Sequence, residues 1–133
     1  MLKQFVIAEL KKRFHRMEIE FGGVDTNVIA RIPPVHASWK PILIRDDGHE
    51  VTVFYGDFTH DHYKYYGVDV SIERQAKAIA EGLVAELEMV FDDQIEFWRT
   101  SFSGGMGPIG SLKAISYAPG DTKATLWSGK DSH

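Results

Sequence analysis

Asp57, His60, Asp61 and His62 fall within six positions, and Tyr63, Tyr65 and Tyr66 follow at once. This is the densest set of chemically capable side chains in the chain. The residues just before it, Glu50–Tyr55, are rich in valine and aromatics, as strands prefer. If the strand continues, His60 and His62 stand two residues apart and project from one face, because side chains alternate along a strand. Two imidazoles so placed can share one divalent ion, as zinc and related sites do. Phe58 falls on the same face. Asp57, Thr59 and Asp61 fall on the other, unless a bulge or turn at Gly56 brings Asp57 round. A catalytic metal centre ordinarily takes three protein ligands. His36 and His49 are candidates for the third only because they sit in loops. The segment therefore has three readings: a polar strand end, a binding surface, or a metal centre on His60 and His62.

Other patterns carry less chemistry. Gly105-Met106-Gly107-Pro108-Ile109-Gly110 matches G-x-G-x-x-G, but that fingerprint must open a helix whose N-terminus receives a pyrophosphate. Here Pro108 lies inside it, and Pro119 follows too soon for a full helix. The expected structure of 104–110 is a flexible loop between two strands. The Walker pattern fails because Ser111 stands where lysine is required. Ser101 and Ser103 flank Phe102 without a nucleophile elbow. Asp92 and Asp93 read as the end of a helix rather than as an acid–base pair. Of Trp39, Trp98 and Trp127, at least one belongs in the core. Trp98 is out of phase with Ile95 and Phe97, so Trp98 or Phe97 is expected to face away from it.

These groups need elements to position them. Leu2, Val6, Leu10 and Phe14 recur every four residues, one stripe of a helix. Residues 17–21 alternate apolar with Glu18 and Glu20, a strand period. Val28–Ile32 is a second strand, stopped by Pro33 and Pro34. Residues 42–45 and Glu50–Tyr55 flank Asp46-Asp47-Gly48-His49, where Asp and Gly tolerate the left-handed backbone of a tight turn. The strongest element is a helix over Ile72–Phe91. Ser71 is its N-cap and Glu73 complements the dipole in its first turn. Positions 72, 76, 79, 83, 87 and 90 make its apolar stripe. Glu73 and Lys77 form an i,i+4 pair. Gly82 interrupts the helix, and close approach to a sheet would explain it. Strands at 94–102, 112–117 and 124–128 complete the reading. The order lacks a βαβ rhythm. It predicts one α+β domain over 1–133, with an antiparallel or mixed sheet of about six strands and two helices, the longer packed on one face. That helix should cover a sheet made mainly of 42–45, 50–55 and 94–102.

Composition sets limits. The chain has 133 residues, 44% hydrophobic and 26% charged, the balance of an ordinary globular domain. It has no cysteine, which excludes disulfides, thiolate metal sites and a cysteine nucleophile. The net charge of −4 argues against nucleic acid, whose phosphates demand clustered Lys and Arg. Lys11-Lys12-Arg13 is short and reads as the solvated face of a helix. No apolar run approaches the roughly 20 residues that span a bilayer. Glu9, Lys11, Lys12 and Arg13 interrupt any signal-peptide core. The expectation is a cytoplasmic protein with no membrane association and no required cofactor.

The run Asp46-Asp47-Gly48-His49-Glu50-Val51-Thr52-Val53, then Gly56, Thr59-His60-Asp61-His62-Tyr63, a helix ending Val90-Phe91-Asp92-Asp93 and an aromatic pair Phe97-Trp98 resembles a family of short uncharacterised bacterial proteins. The resemblance covers about residues 40 to 100 and implies a bacterial α+β domain without a known activity. A looser analogy of size and acidity links the chain to immunity proteins of toxin systems. Two functions follow as expectations. The first is a binding module of the immunity type, with Asp57, His60, Asp61, His62, Tyr63 and Tyr65 contacting a protein partner. The alternative is a divalent-metal-binding protein, or small metal-dependent hydrolase, built on His60 and His62.

Overall fold

The computed structural model describes residues 2–23, 26–65, 67, 70–115 and 118–131. The elements in chain order are α1 (Leu2–Arg13), β1 (Glu20–Phe21), β2 (Val28–Ile32), β3 (Ile42–Asp46), β4 (Glu50–Tyr55), β5 (Thr59–Lys64), α2 (Ile72–Phe91), β6 (Ile95–Arg99), β7 (Gly104–Pro108) and α3 (Ser111–Ala114). β1 to β5 form an antiparallel meander in sequence order, and β6 and β7 form a separate antiparallel pair. This is the expected α+β class, with the long helix packed on one face of an antiparallel sheet.

Alternation decides what each strand buries. On β4, Val51, Val53 and Tyr55 are fully buried, and Ile42 and Ile44 of β3 face the same way. They meet Ala76, Ala80, Leu83, Val84 and Leu87 of α2, together with Val6 and Leu10 of α1, in one apolar cluster. α1 lies along α2, and Phe14 meets Phe91 edge-on with ring centroids 5.0 Å apart. Ser71 caps α2 through Oγ, which accepts from the Arg74 amide at 3.2 Å. Asp92 closes the helix, and the Asp93 carboxylate accepts from the Ser128 amide at 3.1 Å.

The structure corrects several details. Residues 17–21 yield a strand only at Glu20–Phe21, because the exit from α1 turns through Phe14 and Met17. β6 is shorter than 94–102 and pairs with β7 instead of joining the main sheet. Of 112–117, Leu112 to Ala114 belong to the single turn of α3, while 116 and 117 lie outside the described residues. Around 124–128 there are only isolated bridges, from Thr125 to Phe97 and to Asp131. The glycine loop is a strand, β7, which pairs with β6, and its first two glycines lie where a side chain would clash. A Cβ on Gly104 would lie 1.5 Å from the Phe58 carbonyl oxygen. One on Gly105 would lie 2.4 Å from the Trp98 indole. Gly82 does not touch a sheet, since a Cβ there would meet nothing within 4 Å. All three tryptophans are buried, and Trp98 is buried outside the main cluster while Phe97 lies within it.

Among the described residues, no helix is long and apolar enough to cross a membrane.

Candidate functional site

Gly56 ends β4 with φ +59°, and the turn through Phe58 starts β5. The hairpin register then fixes every side chain. Tyr55 pairs with Thr59, Phe54 with His60, Val53 with Asp61, Thr52 with His62, and Val51 with Tyr63. His60 and His62 therefore share one face, as expected, and both are exposed. Their ring centroids are 5.2 Å apart, nearly edge-on. Phe58 does not join them. It sits in the turn and packs on Trp39, with centroids 4.8 Å apart. Asp57 leaves the sheet at the same turn and accepts from Arg99 Nη1 at 2.7 Å. Arg99 leads into the hairpin tip, where Thr100 Oγ1 accepts from the Phe102 and Ser103 amides and leaves Phe102 98% exposed.

The histidine face is organised by residues that sequence reasoning passed over. Thr52 sits opposite His62 and is only 1% exposed. Its hydroxyl donates to Asp47 and lies 3.0 Å from His62 Nδ1. Glu50 Oε2 lies 3.0 Å from the same nitrogen. Arg45 Nε donates to Asp47 at 2.8 Å, and the Arg45 guanidinium lies over the Phe54 ring at 5.1 Å. Phe54 in turn meets His60 at 5.7 Å. The result is a continuous row, Arg45–Phe54–His60–His62, pinned at both ends by the Asp47–Thr52–Glu50 carboxylates and hydroxyl. The hydrogen bond from Thr52, then the one from Arg45, holds the Asp47 carboxyl below its usual range. One signal was available in the sequence. Counting outward from the turn at 56–58 places Thr52 directly across from His62.

The remaining expected contacts lie on the opposite face of β5. Asp61, Tyr63 and Tyr65 alternate with the histidines and turn toward α2. This divides the expected surface in two. Tyr63 is packed against the core, and its hydroxyl hydrogen-bonds that of Tyr55. Burial pushes both phenols well above their usual range. Tyr65 is half-buried, and Tyr66 lies outside the described residues. Beside Tyr63, Glu86 of α2 borders a groove of about 260 Å³ shared with Asp61, Tyr65, Ile79 and Gly82. Burial raises the Glu86 carboxyl, the nearby Asp61 charge raises it further, and the Tyr63 hydroxyl opposes them.

This gives a signed pH effect. A carboxyl raised in the folded state favours folding most fully below its unfolded range near 4.5, and that contribution is lost as pH rises through the folded value. Glu86→Gln is therefore expected to raise the melting temperature at pH 7 and 8 and to change nothing at pH 3.5. Melts of both proteins across that range check it, and equal shifts at every pH would contradict it.

His36 does not approach the histidine pair. Its Nδ1 lies 2.7 Å from Ser38 Oγ and accepts from the Ser38 amide at 3.0 Å. His49 lines a different groove, with Leu2, Lys64 and Ile72. Among the described residues, no group of three or more His, Cys, Asp or Glu side chains is placed to hold a metal. The amide of Gly110, which ends the G-x-G-x-x-G run, and that of Leu112 just beyond it are occupied from within. Glu96, 2% exposed, accepts from the Gly110 amide at 2.6 Å and the Leu112 amide at 2.9 Å. A side-chain carboxylate thus takes donors that a phosphate would otherwise use.

Compared with protein-family models, with curated proteins and with solved structures, the chain finds no match.

Proposed function

We propose that this domain is a protein-recognition module, and that the solvent face of β4 and β5 is its contact surface. The observation that carries the reading is the Arg45–Phe54–His60–His62 row, held rigid from below by Thr52, Asp47 and Glu50. Arginine and aromatic rings anchor interfaces because they bring large contact area. Side chains already fixed before binding lose less entropy on contact. Asp57 and the exposed Phe102 tip, joined through Arg99, extend the same surface around the hairpin end. The net charge of −4 favours a basic partner by speeding encounter. A toxin with a basic surface, which this domain would cover as an immunity-type protein, is the partner class that fits the size and charge together. Tyr63 serves the fold in this reading, and the histidine side of β5 serves the partner.

Phe54→Ala combined with His60→Ala is expected to weaken capture of that partner by about thirtyfold to several hundredfold, because truncating each of the two interface anchors costs about 1–2 kcal/mol. The melting temperature should stay near wild type, since His60 is exposed and Phe54 is only half-buried. Tyr63→Ala should do the reverse, lowering the melting temperature while the captured partner stays bound to the folded fraction. Wild-type affinity in the first variant would overturn the reading.

A further inference from the structure

We propose that His60 and His62 bind one divalent transition-metal ion of the Cu²⁺, Ni²⁺ and Zn²⁺ class, with Nε2 of His62 as the fixed ligand. The hydrogens around His62 decide which of its ring nitrogens is free. The Thr52 hydroxyl has a single hydrogen, and it is given to Asp47. Toward His62, Thr52 can then offer only a lone pair. Glu50 Oε2, also 3.0 Å from Nδ1, is an acceptor as well. Both neighbours of Nδ1 are acceptors, so Nδ1 carries the hydrogen and the neutral ring keeps its lone pair on Nε2. That nitrogen is on the ring edge away from Thr52 and Glu50, and the side chain is 52% exposed. An imidazole whose other nitrogen donates to a carboxylate is the arrangement that orients histidine ligands and raises their basicity.

The spacing of the two rings fits. An ion about 2.05 Å from an imidazole nitrogen sits roughly 3.2 Å from the ring centroid, and two such rings at a tetrahedral angle have centroids about 5.2 Å apart. The observed separation is 5.2 Å. His60 is exposed, and its ring already stands nearly edge-on to that of His62 at this distance. Two imidazoles select borderline transition metals over Ca²⁺ and Mg²⁺, which prefer oxygen ligands. With no third protein ligand among the described residues, water completes the coordination shell. The binding is therefore graded by intrinsic affinity, strongest for Cu²⁺.

The test uses the intact domain and the metal salts alone. Calorimetry should give one Cu²⁺ per chain, with Ni²⁺ and Zn²⁺ weaker, and electron paramagnetic resonance should report two nitrogen donors. Substoichiometric Cu²⁺ should broaden the His60 and His62 ring signals of the wild-type protein before those of His15, His36, His49 and His133. His60→Ala and His62→Ala should each remove the site with the metal-free melting temperature unchanged. Glu50→Ala should keep both nitrogens but weaken Cu²⁺ by about tenfold, as loss of a carboxylate behind a ligating histidine does. Copper binding that persists in the His60→Ala, His62→Ala double variant would overturn the proposal. So would a wild-type protein that takes up no ion, or early broadening at another histidine.

Discussion

Leu83→Asp should abolish the cooperative unfolding transition. Leu83 sits in the middle of α2, fully buried between the helix pair and the sheet. Truncating a core leucine to alanine costs about 2–5 kcal/mol through lost transfer energy and the cavity left behind. Aspartate adds a carboxylate with no cation and no donor within the apolar cluster, and an uncompensated buried charge costs at least several kcal/mol more. A domain of ordinary stability, about 5–15 kcal/mol in total, does not survive that sum. Thermal melts followed by circular dichroism check it, with Leu83→Ala as the graded control. A Leu83→Asp protein melting within a few degrees of wild type would mean α2 is not packed as described.

Gly104→Ala is the second large effect, and it arises from backbone rather than from charge. The added methyl would sit 1.5 Å from the Phe58 carbonyl oxygen and 2.7 Å from its carbonyl carbon. Neither atom belongs to a side chain that can swing away. The β6–β7 pair must separate from the β4–β5 turn, and that contact also carries the Phe58–Phe97 packing at 6.0 Å. Overpacking in a filled interior costs about 1–3 kcal/mol, and more where only backbone can yield, so a loss of 3 kcal/mol or more is expected. Gly105→Ala meets a ring instead, the Trp98 indole. It should cost less, because the ring can tilt. Denaturant midpoints of the two variants decide the order. Equal losses would indicate that the two hairpins do not meet as closely as described.

Where local chemistry dictates the element, the sequence was readable. α2 has a long apolar stripe with a serine cap, and residues 46–49 have the aspartates and glycine a tight turn needs. Gly48, at φ +93°, receives help from Asp46 Oδ1, which accepts its amide at 2.8 Å. β7 was not readable. Three of its five residues are glycine, so it has no side-chain period, and its place is set by what glycine admits from elsewhere in the chain. α3 is a single turn, too short for periodicity, and it depends on the distant Glu96. The site divides in the same way. Alternation alone put His60 and His62 together. The same alternation places Tyr63 with Asp61 on the helix side, and the three consecutive-looking tyrosines obscured it. Thr52, Asp47 and Glu50 emerge only once the hairpin register is known, since their roles come from cross-strand contact and not from sequence spacing.

The recognition reading is tested most directly by placing a photo-crosslinking residue at position 60 of the full chain and irradiating it in native cell extract. The same residue at position 12, exposed on α1 beyond the helix layer, serves as the comparison. The account predicts a discrete protein adduct from position 60 that position 12 does not give, and that disappears when Phe54→Ala is added. No adduct from position 60, or the same adducts from both positions, would contradict it.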